Sequence, residues 1–212
     1  MKITTLFACV VFVASSAFDS MAQFRPVIAK QSSSTYKIHP DGSETVVGQT
    51  EGTYLRSSSG SVMSTEYHIK HGQRVGEGKS TYIDSSTGKT YLLHHEIKVA
   101  RLRHVGPTPF QPPKTRPTEV VGKAVVSGVN CIAIPIRLVS EANRPIGKAW
   151  RSADAYLFVK REYTLDNFRR VWTLHDIQFA EPDPSKFSFP SNYTVDDSEC
   201  APCKEASPGA GK

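Results

Sequence analysis

The sequence predicts a mainly β protein built on a single strongly curved antiparallel sheet, an open half-barrel with few or no helices after the N-terminal segment. Beyond residue 22, no amphipathic helical pattern of useful length appears. Stretches rich in β-branched and aromatic residues alternate with turns rich in Gly, Pro, Asp and Ser. Because the strands follow one another at short intervals, they are expected to form antiparallel meanders.

The first 22 residues predict a signal peptide. Lys2 precedes the apolar run ITTLFACVVFVASSAF, and the small residues of Ser20–Ala22 suit a signal peptidase, so cleavage is expected after Ala22. The run is short for a membrane-spanning helix. A lipid-modified Cys9 is disfavoured, because the apolar run continues beyond it. We therefore expect an exported protein, periplasmic or extracellular, with no transmembrane segment in the mature chain.

The mature chain is expected to hold one domain. We predict an N-terminal extension at 23–34, a single β domain at 35–197 and a flexible C-terminal tail at 198–212. The segment Val105–Pro117 carries five prolines, which remove backbone donors, so it cannot be a central strand. It is expected to connect two halves of one sheet, since each half alone is too small to bury a sheet face.

In the N-terminal half, strands and turns alternate clearly. PDGS at Pro40–Ser43 has the chemistry of a turn, and HGQRVGEGK at 71–79 predicts a glycine-rich break. A hairpin is expected with Gly88 in its turn. The predicted strands are 35–39, 44–56, 62–70, 80–84 and 90–104.

In the C-terminal half, VNCIAIPIRL gives the clearest pattern. Ile132, Ile134, Ile136 and Leu138 fall on one face with a strict period of two, which predicts a half-buried strand. Pro135 indicates an edge or a bulge. RPIG at 144–147 predicts a turn. The strands KAWRS, AYLFVKREYT and FRRVWTLHDIQF complete the meander.

The last ordered segment, HDIQFAEPDPSKFSFPSNYTVDD, carries Phe187 and Phe189 between its prolines, and Tyr193 follows them. Phe187, Phe189 and Tyr193 are expected to lie across the mouth of the curled sheet and to bury their rings. Each ring would contribute on the order of 2 kcal/mol by buried area. The alternative, in which the rings complete a filled core without ligand space, stays open.

The C-terminal half resembles a known family in GKAWRSADAYLFVKREYT and in FRRVWTLHDIQFAEPDPSKFSFPSNYTV, and STGKTYLLHHEIKVARL adds an upstream likeness. Over roughly Thr35–Asp196 the chain is similar to uncharacterised secreted bacterial proteins of the LolA-like type. LolA-like proteins are periplasmic lipoprotein carriers and their relatives. The resemblance implies a strongly curled antiparallel sheet with an open apolar concavity. Family members plug and gate that concavity with helices, and no such helix is predicted here.

The predicted sheet and the resemblance together imply a binding module that holds a lipid, an acylated peptide or an apolar segment of another envelope protein. The alternative is a structural or interaction protein of the cell envelope with a filled core. No cofactor is expected. The residues expected to line, floor or roof the concavity are Ile132, Ile134, Ile136, Trp150, Trp172, Phe179, Phe187, Phe189 and Tyr193.

CAPC at Cys200–Cys203 supports a third hypothesis, a thiol–disulfide protein. Acidic residues precede the motif and no helix follows it, which disfavours a reactive thiolate. A structural disulfide is favoured because export favours oxidation. Cys200 could pair with Cys203 and leave Cys131 over, or Cys131 could pair with one of the two.

Residue spacing, missing motifs and charge distribution disfavour metal binding, catalysis and nucleic-acid binding. His68 and His71 would point to opposite faces of a strand, and HHEIK lacks the second histidine of a zinc motif, so no metal site is predicted. No G-x-S-x-G motif occurs, and no catalytic residue is predicted. The net charge of +6 comes from scattered Lys and Arg. This pattern disfavours nucleic acid and favours weak attraction to anionic lipid heads or other acidic surfaces.

Overall fold

A computed structural model describes residues 24–105, 119–138, 143–152 and 154–197. The predicted signal peptide with Cys9, the predicted tail with Cys200 and Cys203, and all of the proline-rich connector except Val105 lie outside these residues. None of the helices in the described ranges has the length and apolar character needed to cross a membrane.

Twelve strands form one sheet, and a single 3-10 helix, Pro184–Phe187, is the one helix among the described residues. The strands are β1 (Val27–Ile38), β2 (Glu44–Arg56), β3 (Val62–Lys70), β4 (Gln73–Asp84), β5 (Lys89–His94), β6 (Val99–Val105), β7 (Gly122–Val126), β8 (Val129–Leu138), β9 (Arg144–Ser152), β10 (Phe158–Leu165), β11 (Phe168–Gln178) and β12 (Thr194–Asp196).

Two meanders meet at the middle of the sheet. The strand order is β12-β6-β5-β4-β3-β2-β1-β11-β10-β9-β8-β7. The first meander, β1 to β6, joins the second, β7 to β11, through the antiparallel pair of β1 and β11. Every neighbouring pair is antiparallel except β12 with β6. Because β12 and β7 are separate edges, the sheet stays open, and the predicted mainly β fold with an open, curved sheet is confirmed.

Two hairpins turn sharply because consecutive residues adopt positive φ. His71 and Gly72 have φ of 51° and 74° between β3 and β4. Ser127 and Gly128 have φ of 48° and 77° between β7 and β8. Two consecutive positive φ values are the mark of primed two-residue turns, whose twist matches that of the flanking strands.

Several predicted boundaries are wrong. The predicted break at 71–79 lies mostly within β4, because Gly76 and Gly78 adopt positive φ inside the strand, where the register with β3 shifts. The predicted strand at 90–104 is two strands with a turn between them. RPIG belongs to β9. The predicted extension at 23–34 is mostly β1, one of the two central strands.

The buried apolar side chains form two clusters. The first joins strands of both meanders, and its buried members are Val27, Ala29, Val129, Cys131, Ala155, Leu157, Val159 and Leu174. The second belongs to β4, β5 and β6, and its buried members are Tyr82, Tyr91, Leu93, Ala100 and Leu102. The first cluster therefore fixes the junction of the two meanders, and the second supports the far end of the first meander.

Candidate functional site

A cavity of about 590 Å³ opens on one face of the sheet and takes its walls from both meanders. Its lining combines aromatic and aliphatic side chains with four arginines. The lining residues are Phe24, Gln31, Tyr54, Arg56, Val62, Ser64, Glu66, Thr81, Ile83, Arg151, Tyr156, Phe158, Arg161, Tyr163, Arg170 and Trp172.

A buried amide fixes the floor of this cavity. Gln31 is 2% exposed, and its Nε2 donates to Ser64 Oγ at 2.8 Å and to the carbonyl of Thr65 at 3.0 Å. The indole Nε1 of Trp172 donates to Gln31 Oε1 at 3.2 Å. Because a buried amide must satisfy its donors and acceptor, these bonds hold β1, β3 and β11 in one arrangement. The ring of Trp172 is thereby placed in the cavity wall.

Arg56 holds the chain together at one end of the cavity. The residue is 4% exposed. Its Nη2 donates to the carbonyls of Ala155 at 2.7 Å and Arg25 at 2.8 Å, and its Nη1 donates to the carbonyl of Tyr156 at 3.2 Å. Burial lowers the pKa of the Arg56 guanidinium below its ordinary value. Its role is therefore structural, since carbonyl oxygens already occupy its donors.

The other cavity arginines lie against aromatic rings or a hydroxyl. The Arg161 guanidinium is 4.4 Å from the ring centre of Phe158 and 5.6 Å from that of Trp172. Arg151 lies 5.2 Å from the ring centre of Tyr156. Surrounding side chains desolvate Arg161 and lower its guanidinium pKa, although the residue still reaches solvent through the cavity mouth. Cation–π contacts orient such guanidinium groups while leaving their N–H edges available.

Of the predicted site residues, Trp172 lines the cavity. Ile132, Ile134 and Ile136 stand opposite Arg151, Ala149 and Gly147 on β9. Opposed residues of antiparallel strands share a face, so the isoleucines lie on the cavity face but farther along it. They are half-buried, whereas the alternate residues Val129, Cys131 and Ala133 are buried. The isoleucine face is therefore the less buried face of β8.

Trp150 and Phe179 lie outside the cavity lining. Both rings pack against the first buried cluster. The Nζ of Lys160 lies 4.7 Å from the ring centre of Trp150, and the Arg25 guanidinium lies 3.7 Å from that of Phe179. These two aromatic residues therefore support the junction of the meanders instead of contacting cavity contents.

The aromatic segment at residues 187–193, here called the strap, lies on the other face of the sheet. Phe187, Phe189 and Tyr193 pack against the second cluster, which contains Tyr82. Tyr82 sits between Thr81 and Ile83, and both of these neighbours line the cavity. Because successive strand residues point to opposite faces, Tyr82 and the strap lie behind the cavity. The predicted roof over the concavity is therefore wrong.

The strap is anchored by rings and hydrogen bonds. The ring of Phe189 meets those of Tyr82 and Tyr91 edge-on, with centres 5.3 and 4.8 Å apart. The Tyr193 hydroxyl bonds His95 Nδ1, and His95 Nε2 bonds Ser80 Oγ at 2.7 Å. Edge-to-face aromatic contacts of this kind stabilise beyond their buried area. The strap therefore packs the segment between β11 and β12 against the first meander.

Phe189→Ala is expected to lower the free energy of unfolding by about 2 kcal/mol without weakening binding in the cavity. The half-buried ring contributes packing on one face, and the cavity occupies the other. Urea unfolding and a ligand titration on the same protein check both halves of this statement. Phe168→Ala is the matched control, because Phe168 is 44% exposed. A loss of ligand affinity with Phe189→Ala would contradict this placement and would show that the strap covers the cavity.

The described residues include one cysteine, Cys131, and no group of metal ligands. Cys131 is a buried free thiol, and burial raises its pKa. A disulfide between Cys200 and Cys203 stays a prediction, because both lie outside the described residues. Within the described ranges, no three His, Cys, Asp or Glu side chains come together as a group that could hold a metal ion.

The sequence interpretation missed the arginines and Gln31. Arg161 alternates with Tyr163 in KREYT, and Arg170 alternates with Trp172 in FRRVW. Each pair places a cation and a ring on the same face of a strand, where both line the cavity. This period-two coupling of arginine and aromatic residues was the available signal. A charged residue on a strand usually marks a solvated face, so this pattern does not by itself indicate a cavity.

Comparisons with known proteins give structural matches alone. No family model matches the chain, and no curated protein matches it. A LolA superfamily protein from Nitrosomonas europaea matches with a TM-score of 0.37 and 7% identity, over 77% of this chain and 90% of that one. A domain assigned to outer membrane lipoprotein sorting, from Vibrio parahaemolyticus, matches with a TM-score of 0.34 and 9% identity, over 77% and 89%. LprF from Mycobacterium bovis matches with a TM-score of 0.33 and 11% identity, over 76% and 90%.

The fold assignment rests on the sheet itself: its strands, their order and its two open edges. What the matched proteins carry or sort is a property of those proteins.

Proposed function

We propose that this protein is an exported binding module whose cavity holds the apolar part of a lipid or of a similar hydrophobic ligand. One observation carries the proposal: a cavity of about 590 Å³ with aromatic walls opens on one face of the sheet. Ligand cavities commonly have volumes of about 300–1,000 Å³ and mostly apolar linings with a few polar groups. The proposal that the protein is exported rests on the predicted signal peptide at 1–22.

The cavity walls are suited to an apolar guest because their rings are already held in place. Trp172 is fixed through Gln31. Tyr54 packs against the first cluster, and burial raises the pKa of its phenol, so the ring stays neutral at ordinary pH. Walls that are ordered before binding reduce the conformational entropy lost when a ligand enters.

The two tryptophans of the chain provide the test, because one lines the cavity and the other does not. In Trp150→Phe protein, the remaining emission comes from Trp172. Titration with palmitate is expected to shift or quench this emission with saturation. In Trp172→Phe protein, the emission comes from Trp150 outside the cavity, and it is expected to change little. A flat, unsaturable response in both variants would contradict the proposal.

A second candidate function is docking of a partner protein at the β7 edge. In the described part of the chain, β7 pairs only with β8 and leaves its other side open. Val125 is 69% exposed on this strand, and Val120 and Val121 before it are 47% and 44% exposed. Unpaired strand edges can accept a strand from another chain. Co-purification of a protein that Val125→Lys abolishes, with no lipid bound, would favour this function over the first.

A further inference from the structure

The charge of the cavity lining is strongly unbalanced. Four arginines line it, Arg56, Arg151, Arg161 and Arg170, and among the described residues Glu66 is the one carboxylate in the lining. Four positive groups against one negative group leave an excess of three positive charges. An apolar guest alone would not use this excess. The lining therefore points to a guest that also carries negative charge.

Two arginines on the sheet outside the cavity lining, Arg137 and Arg169, are paired with acids. Arg169 lies 2.7 Å from Glu44 and 3.1 Å from Glu162, and Arg137 lies 2.8 Å from Glu119. Within the described ranges, none of the four cavity arginines has a carboxylate within 4.0 Å. Arg137 and Arg169 therefore have carboxylates beside them, whereas in the described part of the chain the four cavity arginines do not.

Three of the four cavity arginines retain donors for a ligand. The N–H groups of Arg56 donate to backbone carbonyls, whereas the Nε of Arg151 is buried without a hydrogen-bond partner. Arg170 donates its Nε to Ser33 Oγ at 3.2 Å and is otherwise exposed, as is Arg161. An unsatisfied buried donor carries a free-energy cost that a bound acceptor would remove.

The strand register places these three arginines in a diagonal row. Arg161 stands opposite Ala149 on β9, two residues from Arg151, and opposite Trp172 on β11, two residues from Arg170. Diagonal neighbours on one face are about 7–8 Å apart at Cα, within reach of long side chains. The row crosses three adjacent strands, β9, β10 and β11, and the rings of Phe158 and Trp172 lie beside it.

We propose that the cavity binds an acidic amphiphile, with its carboxylate or phosphate held by Arg151, Arg161 and Arg170 and its acyl chain held by the neighbouring rings. This inference rests on the proposed lipid-binding function and narrows it to acidic lipids. Guanidinium groups bind carboxylates and phosphates through paired N–H donors, and such charge-assisted bonds are stronger than those to neutral acceptors.

The decisive comparison uses ligands of equal chain length. Palmitate and hexadecanol differ in the charge of the head group, and both are titrated against Trp150→Phe protein with Trp172 emission as the readout. Palmitate is expected to bind at least about tenfold more tightly than hexadecanol, because one charge-assisted bond is worth that factor or more. Palmitoyl lysophosphatidate and palmitoyl lysophosphatidylcholine form a second pair, and tight binding by the former assigns phosphate as an accepted head group.

Variants then locate the head group. Adding Arg161→Gln to Trp150→Phe is expected to weaken palmitate binding about tenfold and to leave hexadecanol binding unchanged. Arg74→Gln is the matched control, because Arg74 is exposed and contacts Tyr67 outside the cavity lining. Circular dichroism establishes that each variant is folded, and the comparison of ligands on the parent protein needs no arginine variant.

Each outcome separates the two proposals. Equal binding of palmitate and hexadecanol, unaffected by Arg161→Gln, would overturn the acidic head group and leave the lipid-binding function standing. Failure of all four amphiphiles to change Trp172 emission would overturn the lipid-binding function itself. Preference for palmitate that Arg161→Gln abolishes, with Arg74→Gln unchanged, supports both.

Discussion

Replacing Gly52 by alanine is expected to lower the free energy of unfolding by about 3 kcal/mol or to prevent folding. Gly52 lies on β2 opposite Gln31 on β1 and Glu66 on β3. A Cβ atom at this position would lie 1.7 Å from the carbonyl oxygen of Thr65 and 2.7 Å from its carbonyl carbon. Backbone atoms of a paired strand cannot retreat as a flexible side chain can, so the overlap must separate β2 from β3.

The consequence reaches the cavity floor, because Gln31 donates to the same Thr65 carbonyl. Gly48→Ala on the same strand is the control, since its Cβ would meet only Thr35 Cβ, at an ordinary 3.8 Å. Urea unfolding followed by circular dichroism measures both variants. Equal stability of Gly52→Ala and Gly48→Ala would show that β2 and β3 are not packed as closely as described.

Replacing Arg56 by methionine is expected to cost about 3 kcal/mol of stability. The substitution keeps much of the apolar stem but removes donors from the carbonyls of Arg25, Ala155 and Tyr156. A buried carbonyl left without a donor costs about 1–3 kcal/mol, and the substitution affects the buried carbonyl of Ala155 and the partly buried carbonyls of Arg25 and Tyr156. Arg56→Lys is expected to recover only part of the loss, because one ammonium group cannot reproduce the planar fork of donors.

The control for this substitution is Arg74→Met, which removes an exposed guanidinium that stacks on Tyr67. Thermal and urea unfolding are measured for the three variants and the parent. The order expected is parent and Arg74→Met together, then Arg56→Lys, then Arg56→Met. If Arg56→Met unfolded with Arg74→Met, the guanidinium of Arg56 would not be holding the end of the cavity.

Several strands could be predicted to the residue, because their sequences alternate and end in turn chemistry. β2, β3 and β8 begin and end where the period-two segments do. Only the end of β1, at 35–38, falls within a predicted strand, because the buried face of its first part includes Gln31 and Ser33, which are polar and whose hydrogen-bond partners lie on other strands. The alternation of polar and apolar residues is visible in the sequence. Which polar residues are buried depends on contacts with strands that are distant in the sequence.

The site was less predictable than the fold. The alternation in STYID separates Tyr82 from Thr81 and Ile83, but it does not say which face carries the cavity and which receives the strap. The arginine row depends on the register of β9, β10 and β11, and register is a property of the assembled sheet. Trp172 lines the cavity whereas Trp150 does not, although both are aromatic residues of predicted strands.

The parallel pair of β12 and β6 ties the order of synthesis to the integrity of the fold. A ribosome completes Val99–Val105 long before Thr194–Asp196, so the outer border of the first meander at β6 has unpaired amides and carbonyls until β12 has been made and pairs with it. Proteolytic clipping before Thr194 would reopen that border and remove its cover. Loss of these three residues would thus make β6, which is longer than β12, the edge strand, and a longer unpaired edge favours pairing with other chains.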